Sequence, residues 1–409
     1  MNSAKDYNKF LNYRYSKLFF EDISLDKLAH KYKTPLYCYS VSEIELNYKL
    51  LKNSFKRISP LICYAMKANY NSEIIQILSK LGSGIDVVSK GELEKSIDNG
   101  VDPDKIVFSG VGKTSHEIEY ALKKKIKQIN VESIEELDEI DYICQKRKLK
   151  IKICLRVNPD INAKTHEKIS TGRSEDKFGI PDEMILDVFK KYQDNKYISI
   201  IGLSVHIGSQ IESLGPFKKA FKKIRNQINF LNQNGFKISL VDLGGGVGIR
   251  YNKNNKLINL NDYSNLIEDL FSDLGIQIII EPGRSLVGSS GIILSKVIRI
   301  KKGKKKNFLI IDAGMNNLIR PALYGAFHNI LPVNLSEEKT NNIYDIVGPI
   351  CETGDIFGKN IRTQKFKKDD LVVICSAGAY SSCMASEYNL RGKVNELFLK
   401  KKKIKVSNK

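Results

Sequence analysis

Eight short apolar runs, rich in β-branched residues, recur along the chain and limit its fold more than any other feature. They are LICYAMK from residue 61, GIDVVS from 84, KIVFSG from 105, QINVES from 128, KICLRVN from 152, IGLSVHIGS from 201, LVDLGGG from 240 and QIIIEPG from 277. Stretches with helical periodicity, such as residues 134–146, lie between them and indicate alternating strands and helices. The first five runs begin about 23 residues apart, which is the length of one strand–helix unit.

Eight such units that close on themselves form a (β/α)8 TIM-type barrel, and a span of roughly 225 residues is typical of that fold. An open, doubly wound parallel sheet is the alternative. Just before the first run, residues 34–40 predict a strand, and Ser42 with Glu45 predicts a capping box that begins the next helix.

After residue 285 the pattern changes to strands without intervening helices. Residues 292–300 and 307–314 flank the turn KKGKKK and predict a β-hairpin, and residues 342–351 and 370–378 continue the β pattern. We therefore predict an α/β protein with a barrel over residues 42–285. Residues 286–409 should form a C-terminal all-β domain that includes an N-terminal strand from residues 1–41.

The charge of the chain bears on its partners. Its 66 Lys and Arg residues exceed its 46 Asp and Glu residues, for a formal net charge of +20. Such an excess favours an anionic partner, either nucleic acid or a small anionic substrate. The lysines are scattered, and their dense runs fall in predicted turns or in the tail. We therefore expect a small-molecule ligand and no nucleic-acid partner.

The seven cysteines include no CxxC pair, and most of them lie inside apolar runs. This pattern predicts reduced thiols in a reducing compartment, with no disulfide framework and no metal site. No signal-like segment begins the chain, and no run approaches 18 apolar residues. We therefore expect a cytoplasmic protein without a membrane partner.

Polar and glycine residues follow the carboxyl ends of several predicted barrel strands. They are Lys67, Asp86, Ser89, Arg156, Asn158, His206, Ser209, Gly244–Gly246, Glu281 and Arg284. Any one of them alone is compatible with a solvated strand end. A charged residue that ends an apolar strand is costly unless it is paired, and this rim of a barrel carries the active site. The whole set therefore predicts an active site.

Lys67 is the most informative of these residues. A lysine at the end of a buried strand can be desolvated, which makes its amine a nucleophile toward an aldehyde. Gly244–Gly246 leave backbone N–H groups open to a phosphate. An aldehyde-reactive lysine, a phosphate-binding turn and the strand-end carboxylate Glu281 together suggest pyridoxal 5′-phosphate.

At these residues the sequence resembles the fold-type III, alanine-racemase-like pyridoxal-phosphate decarboxylases, and within them the diaminopimelate decarboxylases. The motifs are YAMKAN (64–69), GIDVVSKGEL (84–93), LRVNPD (155–160), HEKISTGRSEDKFGI (166–180), HIGSQI (206–211), DLGGGVGI (242–249), EPGRS (281–285), RPALYGA (320–326), GPICETGD (348–355) and GAYSSCM (378–384). They follow the family's order over almost the entire chain.

The resemblance implies which residues bind the cofactor. Lys67 is similar to the lysine that binds the aldehyde, His206 to the imidazole that stacks on the ring, and Glu281 to the carboxylate that pairs with the ring nitrogen. Asp86 belongs to the same set. The residues that resemble the phosphate binders are Ser209, Gly245, Gly246, Pro282, Gly283, Arg284 and Tyr380.

Two of the implied roles bear on the reaction. A carboxylate beside the ring nitrogen favours the pyridinium, which withdraws electrons strongly, so Glu281 argues against a racemase. Cys351, in CETGD, resembles the family's general acid, and an ordinary thiol keeps its proton at neutral pH. The family also places Cys351 and Glu352 in the neighbouring subunit's site. The resemblance therefore implies a homodimer with shared active sites.

The resemblance also implies the substrate. Arg284, Arg320 and Tyr324 resemble the residues that hold the distal carboxylate of diaminopimelate, and Glu352 resembles the one near its distal ammonium. Tyr380 also belongs to the implied substrate-binding set. Arginine suits a carboxylate, which ornithine lacks at that position. The implied activity is that of a carboxy-lyase that converts meso-2,6-diaminopimelate to L-lysine and CO2, the last step of lysine biosynthesis.

Two alternatives remain. A decarboxylase of the same fold could act on ornithine, arginine or carboxynorspermidine, although the arginines and CETGD argue against it. A non-enzymatic cofactor-binding regulator would need neither Cys351 nor the β domain.

Overall fold

The computed structural model describes residues 4–163, 166–169, 171–337 and 342–407. The chain forms two compact units. The barrel unit comprises Tyr48–Gly248 and Lys256–Ser285, and the β unit comprises Met1–Asn47, Ile249–Asn255 and Leu286–Lys409.

The described residues contain strands throughout the chain. They are β1 (Leu11–Arg14), β2 (Lys17–Phe20), β3 (Ile23–Ser24), β4 (Leu36–Ser40), β5 (Leu61–Ala65), β6 (Gly84–Val87), β7 (Ile106–Phe108), β8 (Gln128–Val131), β9 (Ile151–Asn158), β10 (Ile180–Pro181), β11 (Ile198–Ser204), β12 (Leu240–Asp242), β13 (Gln277–Ile280), β14 (Gly291–Lys302), β15 (Asn307–Ile311), β16 (Ile330–Pro332), β17 (Asn342–Val347), β18 (Ile356–Thr363), β19 (Leu371–Ile374), β20 (Asn395–Lys400) and β21 (Lys403–Val406).

The α-helices lie mostly between the barrel strands. They are α1 (Leu25–Tyr32), α2 (Val41–Ser54), α3 (Ser72–Lys80), α4 (Lys90–Asp98), α5 (Ser115–Lys124), α6 (Ile134–Arg147), α7 (Ile185–Tyr192), α8 (Leu214–Gln233), α9 (Leu260–Phe271), α10 (Arg284–Val287) and α11 (Arg320–Tyr324). Short 3-10 helices cover Ala4–Asp6, Met66–Ala68, Pro103–Lys105, Glu167–Ile169, Asp182–Met184, Ser272–Leu274, Ser382–Met384 and Tyr388–Leu390. No helix in these described ranges is long and apolar enough to cross a membrane.

The barrel unit is a closed ring of parallel strands. Around the ring the order is β5, β6, β7, β8, β9, β11, β12 and β13, and β13 pairs back with β5. The predicted (β/α)8 barrel is therefore confirmed, and the open doubly wound sheet is wrong. Parallel strands are buried on both faces, which explains the nearly continuous apolar runs.

The centre of the barrel is filled with side chains. Cys63, Val107, Cys154, Leu240 and Ile279, each from a different strand, form one buried cluster. A barrel of this size has a packed core without a channel. Any ligand site must therefore lie at an end of the strands.

Side-chain caps begin several helices directly after the strands. The hydroxyls of Ser89 and Ser133 cap α4 and α6, and Thr114 with Glu117 forms a capping box at α5. The capping box predicted at Ser42 and Glu45 is wrong. Helix α2 begins at Val41, and the Ser40 hydroxyl accepts the N–H of Glu43.

The β unit contains a sheet in the order β18-β17-β15-β14-β4-β20-β21, with β19 also paired to β14 and β16. Strands β14 and β15 are antiparallel, so the predicted hairpin around the lysine-rich turn is confirmed. The predicted N-terminal strand is β4, which pairs with β14 and β20. Its side chains, including Leu36 and Cys38, belong to this unit's hydrophobic core.

Candidate active site

The barrel unit encloses a cavity of about 360 Å³ at the carboxyl ends of its strands. Four residues that we predicted from the sequence, Lys67, Arg156, His206 and Glu281, line it together. Their strands are far apart in sequence. The closure of the ring is what brings them to one cavity.

Lys67 lies in the 3-10 turn Met66–Ala68, directly after β5. Its Nζ is 2.6 Å from Oδ2 of Asp86, which is fully buried on the neighbouring strand β6. A buried carboxylate needs a partner of opposite charge, so Asp86 holds the lysine amine at the cavity. The Lys67 side chain is 38% exposed and is accessible to an aldehyde.

His206 follows β11, and its ring is oriented by the backbone. The N–H of Gly245 donates to His206 Nδ1 over 3.1 Å, which leaves the proton of a neutral ring on Nε2. Burial lowers the pKa of His206 well below its usual value, and the charges of Arg156 and Lys67 lower it further. A neutral imidazole can stack against an aromatic ligand without the cost of a buried charge.

The glycine-rich turn after β12 allows the backbone to approach its neighbours closely. Gly244 and Gly246 have φ values of +63° and +112°, which favour glycine. A Cβ on Gly245 would lie 2.1 Å from the Glu281 carbonyl oxygen. Nearby, Arg284 Nη2 donates to Ser209 Oγ over 3.0 Å. The positions of this turn therefore require glycine, because a side chain would collide with the neighbouring backbone. The phosphate-binding role expected of the turn stays a prediction.

Glu281 directly follows β13 and lies in a buried polar cluster. Burial raises its pKa well above the usual value, and the charges of Asp242 and Asp86 raise it further. The Asn130 side-chain amide donates to Asp242 Oδ2 over 3.0 Å, and it lies 3.4 Å from Glu281 Oε1. Asp242 is fully buried in the same cluster, and burial raises its pKa as well. The Glu281 carboxyl therefore keeps its proton to a higher pH than an ordinary glutamate does.

Our sequence reasoning missed several residues of this site. Asn130, Glu132 and Asp242 are buried on or directly after β8 and β12. The sequence contains the signal that could have identified these three residues, because each is a polar residue near the carboxyl end of a predicted barrel strand. No site residue is predicted at β7 or β8, which accounts for Asn130 and Glu132, whereas Asp242 lies on β12 two residues before the predicted glycine turn.

Arg320 belongs to the β unit and is only 4% exposed. Its Nη1 is 2.6 Å from His328 Nε2, and its Cζ lies 4.3 Å from the centre of the Tyr251 ring. His328 Nδ1 is 2.9 Å from the Cys375 carbonyl oxygen. The carbonyl accepts the Nδ1 proton, so Nε2 is left to accept from the guanidinium. Sequence reasoning missed His328.

The other residues predicted from the β unit differ in exposure. Cys351 and Glu352 are exposed, and the Tyr388 hydroxyl donates to Glu352 Oε1 over 2.7 Å. Tyr324, in α11, is half-buried, as is Tyr380, which has a φ of +56°. The roles expected for these residues stay predictions.

Comparisons with known proteins show the family of the chain. Residues 41–288 match the family described as pyridoxal-dependent decarboxylase, pyridoxal binding domain. The chain is 40% identical to diaminopimelate decarboxylase of Aquifex aeolicus over 412 residues, which is 100% of this chain and 97% of that protein. It is 43% identical to the enzyme of Neisseria meningitidis serogroup A over 385 residues, 93% of each chain.

Solved structures give the same result. The crystal structure of diaminopimelate decarboxylase from Helicobacter pylori complexed with L-lysine matches with a TM-score of 0.90 and 41% identity. The match covers 94% of this chain and 96% of that one. The enzyme from M. jannaschii, also in complex with L-lysine, matches with a TM-score of 0.93 and 34% identity over 98% of this chain and 95% of that one.

The raised pKa of Glu281 makes stability depend on pH. Because its pKa is raised above the ordinary value of 4.5, unfolding releases the Glu281 proton above pH 4.5. The free energy of unfolding should therefore fall as pH rises, by up to about 1.4 kcal/mol per pH unit. Glu281→Gln removes the proton. Between pH 5 and pH 8, urea unfolding of the cofactor-free proteins should give a higher free energy of unfolding for the variant than for wild type. This difference should grow as pH rises.

The exposed Glu337→Gln variant is the control for the Glu281 prediction. Its free energy of unfolding should change with pH as that of wild type does. If the free energy of unfolding of Glu281→Gln also changes with pH as that of wild type does, the Glu281 carboxyl is ionised in the folded protein.

Proposed function

The chain belongs to the pyridoxal-dependent decarboxylases, among the diaminopimelate decarboxylases, and we propose that it converts meso-2,6-diaminopimelate to L-lysine and CO2. This is the last step of lysine biosynthesis, and it makes the chain a carboxy-lyase. The observation that carries the proposal is the Lys67 amine held by Asp86 at a cavity that Glu281 also lines. Relatives of full length that are named for this activity support it.

The residues at the rim of the barrel divide the work of binding the cofactor. The Lys67 amine would bind the cofactor's aldehyde, and Gly245, Gly246, Ser209 and Arg284 would hold the phosphate, with help from Pro282, Gly283 and Tyr380. Bound pyridoxal phosphate would supply an electron sink for the electron pair left when CO2 departs. The match of residues 41–288 to a pyridoxal-binding domain supports a cofactor-binding domain over 42–285, beside a β domain of 1–41 and 286–409.

His206 and Glu281 would control the charge around the cofactor ring. The neutral His206 imidazole would cover the ring without adding a positive charge. The raised pKa of Glu281 means that this carboxyl already carries a proton that it can give to the ring nitrogen. The resulting carboxylate would then stabilise the positive ring, which favours decarboxylation over racemisation.

Cys351 would hold the proton that replaces the departing carboxylate. We propose that it acts in the site of a neighbouring subunit, within a homodimer that has two shared active sites. Cys351 and Glu352 are exposed in the single chain, which leaves them available to a partner. The seven cysteines all lie in the described residues and none forms a disulfide, in keeping with our proposal of a cytoplasmic enzyme.

Arg320 would bind the distal carboxylate of the substrate, together with Arg284 and Tyr324, while Glu352 would face the distal ammonium. Tyr380 would also contact the substrate. Two observations support the role of Arg320. Its guanidinium is buried, and His328 and the Tyr251 ring fix its orientation. A planar guanidinium held in one orientation suits a carboxylate, which accepts two parallel hydrogen bonds.

The assignment of Lys67 predicts a single labelled lysine. Borohydride treatment of the protein loaded with pyridoxal phosphate should attach the pyridoxyl group to Lys67, as peptide mass mapping would show. Lys113 is the internal control, because its fully buried side chain is paired with Glu136 and should stay unlabelled. A pyridoxyl group on any other lysine would contradict the assignment.

The role of Cys351 predicts a loss of turnover without a loss of cofactor. Cys351→Ala should lower kcat by about 100-fold or more, with cofactor binding nearly intact. Cys383→Ala, at a half-buried thiol of the same unit, should retain activity. Mixing equal amounts of Lys67→Ala and Cys351→Ala subunits should restore about a quarter of wild-type activity, because half of the dimers are mixed and each mixed dimer has one of its two sites intact. If the mixture shows no such recovery of activity, the proposal that two subunits share each active site is wrong.

The role of Arg320 predicts a change in substrate discrimination. Arg320→Lys keeps the charge but loses the planar fork. It should lower kcat/KM for diaminopimelate by about 30- to 1000-fold, which corresponds to roughly 2–4 kcal/mol. Trace activity on lysine or ornithine should change little, since neither has a distal carboxylate. Equal losses on both substrate types would mean that Arg320 supports the fold or the cofactor.

A further inference from the structure

Glu132 lies directly after β8, and only 3% of its side chain is exposed. Its Oε1 accepts from Arg156 Nη1 over 2.6 Å and from the Gly110 N–H over 3.1 Å. Its Oε2 accepts from the Gly179 N–H over 3.1 Å. One carboxylate therefore joins the segment after β7, strand β9 and the segment before β10.

The groups that Glu132 binds are parts of the cavity wall. Gly110, Arg156 and Phe178, the neighbour of Gly179, line the cavity. Arg156 carries the connection further, because its Nη2 donates to the His206 carbonyl oxygen over 3.3 Å. The Arg156 guanidinium also lies 4.8 Å from the centre of the Phe178 ring.

The segment at Gly110 is held from both sides. Lys113, whose side chain is fully buried, donates to the Gly110 carbonyl oxygen over 2.5 Å and pairs with Glu136 over 2.6 Å. Glu136 in turn accepts the backbone N–H of Glu132 over 2.8 Å. The position of this loop thus depends on two buried ion pairs that are linked to each other.

The chemistry of the Glu132 pocket requires an anion with two acceptor oxygens. Its partners are an arginine and two backbone N–H groups, all of them donors. A glutamine would place its own N–H2 against one of these donors. A buried donor without an acceptor costs free energy, so the local structure would move to avoid it.

We infer that Glu132 is a positioning residue for the decarboxylation site, whose carboxylate holds Gly110, Arg156 and Gly179 so that Arg156, Phe178 and His206 form one wall of the cavity. The catalytic part of this inference rests on the proposed function. The inference that Glu132 holds the segments at Gly110 and Gly179 in place does not depend on the proposed function. Small displacements of groups that touch a substrate or cofactor reduce turnover strongly, so Glu132 acts on the reaction through the residues it holds.

The barrel offers a matched control in Glu268, on α9. Its side chain is 1% exposed, and it accepts from the backbone N–H groups of Lys56 and Arg57 and from Arg57 Nε. The donor set is the same in kind as that of Glu132. Lys56 and Arg57 precede β5, at the amino-terminal end of that strand, where a barrel's residues serve stability.

The experiment compares Glu132→Gln with Glu268→Gln by hydrogen exchange and by kinetics. In the cofactor-free protein, the Gly110 and Gly179 amides should exchange about tenfold or more faster in Glu132→Gln, and at the wild-type rate in Glu268→Gln. In the loaded enzyme, kcat should fall about 10- to 100-fold in Glu132→Gln, with KM for diaminopimelate within about threefold of wild type. For Glu268→Gln, kcat should stay near wild type.

Two results would overturn the inference. One is unchanged exchange at Gly110 and Gly179 in Glu132→Gln, and the other is a kcat no lower than that of Glu268→Gln. If Glu132→Gln does not fold, Glu132→Asp and Glu268→Asp keep the charge and both oxygens, and the same comparison decides. A wild-type enzyme that leaves diaminopimelate unchanged would refute the proposed function, while the exchange data would still test the loops.

Discussion

The backbone pairing between β13 and β5 is the interaction on which the site depends. Ile279 and Ile280 lie opposite Leu61 and Ile62, and this contact closes the ring. The Ala65 N–H also donates to the Pro282 carbonyl oxygen over 3.2 Å, which extends the contact beyond the strands. Without this closure, the lysine after the first barrel strand and the carboxylate after the last one would lie at opposite edges of an open sheet.

Burial of charge is the second constraint on the barrel rim. Asp86, Asp242 and Glu281 are buried within one site, and three ionised carboxylates so close together would repel one another. The structure balances them in two ways. Lys67 pairs with Asp86, whereas burial and the neighbouring charges raise the pKa of Glu281, which therefore keeps its proton. The pairing with Asp86 keeps the Lys67 amine at the cavity, and the raised pKa of Glu281 keeps a proton there. The interactions that stabilise the buried charges of the rim therefore also supply its reactive groups.

Much of the architecture followed from local patterns. The apolar runs predicted every barrel strand, because a parallel strand that is buried on both faces must be almost wholly apolar. The rule that barrel active sites lie at the carboxyl ends of strands identified Lys67, Arg156, His206 and Glu281, which do line one cavity. The cap at Ser42 was predicted wrongly because Ser40 is an equally good capping residue two positions earlier, and the sequence pattern does not separate them.

The sequence by itself determined the kind of fold, the end of the barrel that carries the site and the residue types that the chemistry needs. Only the tertiary structure decided which of those residues are partners. Glu132 binds Gly110 and Gly179, and Asn130 binds Asp242, across strands that are separated by tens to more than a hundred residues. His328 orients Arg320 through a tautomer set by the Cys375 carbonyl. Such pairings depend on strand register and ring closure, and both are set by the packing of the whole barrel or sheet, beyond the reach of any local pattern.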